Sequence, residues 1–156
     1  MADFSRISNL IKNLKNAESV DICFLADTTY SMTPYVKKVK NVITAANAAL
    51  RAIFPDIKLR SAFIGYGDYD KNGNRTKDQI IVKPFTSNVS EFENNIEEIK
   101  FFGGGDGAED VFGGLEQVPK LARLNTSRVL FHMADAPCHG KAYYDTKMFK
   151  SDDHPK

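Results

Sequence analysis

The chain has 156 residues, enough for one domain with a sizeable hydrophobic core. Lys plus Arg, at 21, nearly balance Asp plus Glu, at 20, so no global basic field points to nucleic acid or an anionic membrane surface. No apolar run approaches the ~20 residues of a membrane-spanning helix, and the opening MADFSRISNLIKNLKNAESV lacks the continuous apolar stretch of a signal peptide.

In chain order, the first element expected is a helix within residues 1–17, with apolar side chains at Phe4, Ile7, Leu10, Ile11 and Leu14. Val20 to Ala26 (VDICFLA) is short and rich in strand formers, suited to a strand buried on both faces. From about Pro34 to Phe54 apolar residues recur at helical spacing, and Pro34 fits a first turn, where its absent N–H costs nothing. Lys58 to Tyr66 is a second strand, and GDYDKNGNR after it has the composition of a loop. Gln79 to Phe85 is a third strand, and Pro84 near its end suits a sheet edge.

A short helix follows at Ser90 to Ile99, with Ser90 and Glu93 spaced as a capping box. After FFGGGDGAED comes a helix from about Glu109 to Leu124, then a fourth strand, Arg128 to Ala134, and a polar tail of little periodicity. The alternation of strands and helices predicts an α/β fold, a doubly wound open sheet with helices on both faces. Ligands in such sheets bind beyond the carboxyl ends of the strands, where strand order reverses. Asp27, Asp68, Asp70 and Asp135 all fall just after predicted strand ends.

The two cysteines, Cys23 and Cys138, make no disulfide framework and read as reduced thiols in a cytosolic protein. The chemically distinctive stretch is FLADTTYSM, residues 24–32, where an apolar strand runs into Asp-x-Thr-x-Ser. A helix cap needs one Ser or Asp, and this is more oxygen than capping requires. Asp27, Thr29 and Ser31, with a carboxylate from FGGGDGAED and Asp135 from another strand end, supply only oxygen. Hard divalent cations (Mg²⁺ above all, with Mn²⁺ and Ca²⁺ as alternatives) take such ligands, whereas Zn²⁺ favours His or thiolate.

DTTYS resembles the metal-ion-dependent adhesion site of von Willebrand factor A-type domains, whose motif is Asp-x-Ser-x-Ser, with Thr29 in place of the middle Ser. The resemblance runs from roughly Val20 to Tyr144 and takes in GYGDYD and LFHMADAP. It implies a Rossmann-like sheet and a bound cation that accepts an acidic residue from a protein partner. The distal Thr usual in the family has no counterpart in GGGDGAEDVFGGL. That stretch is more similar to the Asp-x-Pro-Glu loop of integrin β-subunit domains. The match gives the distal metal position to Glu109, with Asp106 as the alternative. Asp106 with Asp68 or Asp70 would line a second, neighbouring ion site, and Ala108 stands where the Pro would be.

GGGDGAEDV and ADAPCHGKAYYD are most similar to the A-type domains joined to atypical α-kinase domains, which recruit partners and do no chemistry. By that likeness residues 1–156 are one partial domain, with two further strand–helix units expected beyond SDDHPK. The edge of Val129 to Ala134 would then be open to self-association.

Each residue also has an ordinary role. Ser31 suits a helix cap, Asp135 a turn, Asp68 and Asp70 a solvated loop, Asp106 a turn among glycines, and Glu109 a helix N-terminus. Gly103 to Gly105 lack the Lys-Ser/Thr of a phosphate loop. Cys138 and His139 lack a second metal-binding pair and read as loop residues, and Cys23 and His132 as core or strand residues. The competing function is a Mg²⁺-dependent phosphatase of the haloacid-dehalogenase kind, with Asp27 as nucleophile and Asp152 and Asp153 as a late acidic pair. Thr29 stands where that chemistry wants a general acid.

Overall fold

The computed structural model describes residues 19–70, 72–101, 103, 107–122, 127–140 and 143. The expected helix within residues 1–17 lies outside them, as do Asp106, Asp152 and Asp153. The strands are β1 (Ser19–Asp27), β2 (Lys58–Tyr66), β3 (Ile80–Thr86) and β4 (Ser127–Met133), and the helices α1 (Val36–Ile53), α2 (Val89–Glu97) and α3 (Val111–Gln117). One four-stranded sheet has the order β3-β2-β1-β4. β1 pairs in parallel with β2 and β4, and β3 runs antiparallel to β2. The fold is a mixed α/β sheet of the Rossmann-like open kind, as expected.

β1 is central because nearly every side chain in it can be buried: all its residues but Ser19 are. Strand alternation sends Val20, Ile22, Phe24 and Ala26 to one face, where Val39 and Ile43 of α1 and Phe92 and Ile96 of α2 cover them. Phe24 is the hinge of that layer, with the Phe131 ring stacked at 5.4 Å and Phe92 at 5.8 Å. Cys23 and Leu25 face the other way, toward Ala62, Ile64 and Tyr66 on β2 and Val111 of α3. Gly114 permits that approach of α3, since a Cβ there would lie 2.7 Å from Tyr66 Cδ1.

β3 is an edge strand, and Pro84 falls within its register shift, where the ladder is already interrupted. Among the described residues β4 is the opposite edge.

Local chemistry moved several boundaries. The long helix does not begin at Pro34: a 3-10 turn, Tyr30–Tyr35, precedes it. The second helix is capped by Asn88, whose Oδ1 accepts from Glu91 N at 3.2 Å, and not by Ser90 with Glu93. Thr86 Oγ1 donates to Glu91 Oε2 at 2.7 Å, so the reciprocal partner comes from the end of β3. The third helix runs only Val111–Gln117 before the 3-10 turn Val118–Lys120, because Pro119 has no N–H to continue it. Glu109 is therefore outside the helix, and Asp110 is its cap.

A carboxylate-lined crevice at the switch point

The chain leaves β1 toward β2 and β3, then returns to place β4 on the other side of β1. Strand order thus reverses between β1 and β4, and both strands point their carboxyl ends at the same crevice. Asp27 closes β1 there, fully buried. Thr28 locks the turn, its N–H and Oγ1 donating to Tyr66 O at 2.8 and 2.9 Å. With Thr28 turned inward, the 3-10 turn that starts at Tyr30 brings Ser31 back beside Thr29.

The result is a row of oxygens. Asp27 Oδ1 accepts from Thr29 N at 2.8 Å and from Thr29 Oγ1 at 2.6 Å. Thr29 Oγ1 lies 3.1 Å from Ser31 Oγ, and Ser31 Oγ donates to Asp135 Oδ1 at 3.0 Å. The inner half, Asp27 and Thr29, is buried, and the outer half, Ser31 and Asp135, is exposed. Ser31 does not cap a helix.

Hydrogen counting sets the character of this row. Each hydroxyl carries one hydrogen. If Thr29 gives its hydrogen to Asp27 and Ser31 gives its own to Asp135, none remains for the Thr29–Ser31 contact. Two lone-pair-bearing oxygens then face each other. Among the described residues Asp27 Oδ2 is moreover buried with no hydrogen-bond partner, a position that costs free energy unless a proton or a cation occupies it. Burial is the main reason that the Asp27 carboxyl is raised above its ordinary value, with the charges of Asp135 and Asp68 adding to it and the Thr29 hydrogen bonds opposing. An all-oxygen row that is short of hydrogens and carries excess negative charge fits a hard cation.

Glu109 is positioned by a route invisible in local sequence. It forms a parallel bridge with Cys138, its N–H donating to Pro137 O at 2.9 Å and its carbonyl accepting from His139 N at 3.3 Å. The loop after α2 is thereby laid along the loop after β4, and the Glu109 side chain is buried. Tyr66 links the carboxylates electrostatically: burial raises its phenol, and the charges of Asp27, Glu109 and Asp135 raise it further. Tyr66 Oη lies 2.8 Å from His132 Nε2. Partial burial lowers the His132 imidazole.

The remaining acids behave differently. Asp68 is buried, its Oδ1 2.9 Å from His139 Nε2 and accepting from Tyr69 N at 2.7 Å. Asp70 closes its own turn, Oδ1 accepting from Asn72 N and Asn74 N. Asp106, the third member of the expected second ion site, is outside the described residues. His139 is a loop residue, as expected, and is buried.

Asp110, which sequence reasoning passed over, is a hub. It caps α3 through Gly113 N at 2.8 Å, accepts from Gln79 Nε2 at 2.7 Å and lies 3.3 Å from Arg75 Nη2. Asp three residues before Gly-Gly was the available signal. Among the described residues, no group of three or more His, Cys, Asp or Glu is placed to hold a metal, so hydroxyls must complete any cation site here. No helix of the described residues is long and apolar enough to cross a membrane.

Fold and crevice together define an open α/β sheet with an oxygen-lined site at its switch point. No family model matches the chain. It is 37% identical over 134 residues to the alpha-protein kinase vwkA of Dictyostelium discoideum, an alignment that takes in 85% of this chain and 21% of that protein. The chain therefore spans about a fifth of the length of this relative. The fold is also similar to that of the pilus adhesin SpaC from Lactobacillus rhamnosus GG in its open conformation. There the TM-score is 0.51 and the identity 19%, over 74% of this chain and 14% of the adhesin, a likeness of fold alone.

Proposed function

We propose that this chain is a von Willebrand factor A-type, metal-ion-dependent protein-binding module of an α-kinase-associated protein, working in the cytosol and doing no chemistry of its own. Ser31 and Thr29 hold a divalent cation, Mg²⁺ above all, with Asp27, Glu109 and Asp135 bound directly or through water. Water-mediated carboxylates suit Mg²⁺, which dehydrates reluctantly. Bound there, the cation offers an open coordination position to a partner's Asp or Glu. The protein's own part is to hold the oxygens in place, and Thr28, bonded to Tyr66 O, keeps the loop rigid. The observation that carries this reading is the hydrogen-short row from Asp27 to Asp135, with Asp27 Oδ2 buried and unbonded. The 37% identity to a protein named as an alpha-kinase supports the setting. Both cysteines are free, and burial pushes the Cys23 thiol up to about 12, which suits a reducing compartment.

Titration with Mn²⁺ and Mg²⁺ followed by melting and calorimetry tests the proposal. A cation-dependent rise in melting temperature is expected, and no shift and no heat at millimolar ion would refute it. A generic phosphate ester with Mg²⁺ should show no turnover. β4 is also an edge strand, and Leu130 on it is 42% exposed. We propose self-association through that edge, which sedimentation would show as concentration-dependent mass.

A further inference from the structure

Three loops meet at Glu109: one after β2, one before α3 and one after β4. Backbone bonds grip Glu109 from both sides, its N–H donating to Pro137 O at 2.9 Å and its carbonyl accepting from His139 N at 3.3 Å. The next amide, Asp110 N, donates to Gly67 O at 3.2 Å. Side chains close the circuit. His139 Nε2 lies 2.9 Å from Oδ1 of Asp68, the residue after Gly67. Both side chains are deeply buried, at 5% and 0% exposure. Asp68 Oδ1 also accepts from Tyr69 N at 2.7 Å, and the Tyr69 and His139 rings meet in a T-shape, centroids 5.6 Å apart.

We infer that Asp68 and His139 are positioning residues for the proposed cation site: their contact is a strut that holds Glu109 in the distal ligand position, and Asp68 is not a ligand of a second ion. This rests on the reading given above. The three loops form a triangle, each tied to the other two. Two sides of a triangle can hinge, and the third locks it. The side between Asp68 and His139 is the one made by side chains, so substitution can remove it and leave the backbone bonds in place. A buried pair of this kind seldom adds net stability over an apolar replacement. Its effect lies in where it holds the backbone, and a working site needs its groups held to within about 0.5 Å. The charge of Asp68 adds to the upward shift at Asp27, so the strut stands within electrostatic reach of the oxygen row.

Mn²⁺ calorimetry on the full chain reads the strut, and melts in chelator report the structural cost of each variant separately. His139→Ala should weaken Mn²⁺ binding by roughly 10–100-fold, the range for groups that hold a metal ligand in place. His139→Gln, whose amide nitrogen also stands at the ε position, should recover most of that loss. Glu109→Gln should weaken binding too. Adding His139→Ala to it should cost no further affinity, because a strut acts only through the ligand that it holds. Where His139→Ala does not fold, His139→Asn takes its place, its nitrogen one bond short of Asp68.

If the wild type binds no Mn²⁺, the cation reading falls and the strut with it. If the wild type binds and His139→Ala binds as tightly, the inference alone is overturned. It is overturned equally if His139→Gln recovers nothing or if the losses in the double variant add. Two ions in the wild type, falling to one in Asp68→Asn, would make Asp68 a ligand and refute the strut as well.

Discussion

β1 carries two buried aspartates on one face, six residues apart, and they have opposite fates. Asp21 is answered by Arg60 at the paired position of β2, with Nε and Nη2 each 2.8 Å from a carboxylate oxygen. Arg60 is itself held, its guanidinium 4.9 Å over the Phe85 ring and bonded to Ala122 O. Among the described residues no Lys or Arg pairs with Asp27. One of its oxygens collects an amide and a hydroxyl, and the other has no hydrogen-bond partner. Burial alone does not distinguish a structural carboxylate from a functional one; what answers the charge does. A fork-shaped Arg closes the account at Asp21 from within the fold. At Asp27 no such fork is found among the described residues, and one carboxylate oxygen is buried without a hydrogen-bond partner there.

The contrast breaks most visibly at Arg60. Arg60→Ala should destabilise by about 3 kcal/mol, because it removes the two-pronged partner of the buried Asp21 carboxylate. The loss should be the same in chelator and in Mg²⁺. Urea melts in both buffers check this, and a loss that Mg²⁺ repairs would contradict the division between the two aspartates.

Asp27→Asn should do the reverse. In chelator the variant should be as stable as the wild type or more so, since one uncompensated buried charge is removed. With Mg²⁺ at a hundred times its dissociation constant the wild type should gain roughly 2.7 kcal/mol by mass action, and the variant nothing. Equal destabilisation of the variant in both buffers would show that Asp27 is a packing residue.

The pH dependence follows from the upward shift at Asp27. A folded-state value above the unfolded one means that the native protein holds more protons across the interval between them. Stability contributed by this group is therefore full below the unfolded value and declines as pH rises through the folded one. In chelator, the wild type should gain on Asp27→Asn as pH falls from neutral toward about 4, near the unfolded carboxyl value. Mg²⁺ competes with the proton and should flatten that gain. Paired melts across pH, with and without ion, check both statements.

The smallest stability effect belongs to Ser31→Ala. Ser31 is exposed, so the melt in chelator should move within about 0.5 kcal/mol. Cation affinity should still fall, by roughly 10–100-fold as for groups that support a metal site. Calorimetry with Mn²⁺ separates the two readouts, and unchanged affinity would remove Ser31 from the site.

Sequence by itself determined the strands, the sheet class and the oxygen-rich loop after β1. β1 and β2 were legible because a run of apolar, β-branched and aromatic residues has few ways to be buried except as strands with both faces covered. Asp27, Thr29 and Ser31 were legible as an oxygen-rich cluster because they lie within five consecutive residues, although Ser31 stands in a 3-10 turn and not on the extended strand. Helix ends were less so: Asn88 rather than Ser90 caps α2, since the reciprocal bond comes from Thr86 across a turn. Only the tertiary structure decided which carboxylates are answered. Arg60 meets Asp21 through strand register across 39 positions, His139 meets Asp68 across 71, and Ser31 meets Asp135 across 104. Glu109 owes its burial to a bridge with Cys138. Charge compensation is a property of what lies within a few ångströms in space, and chain spacing carries no record of it.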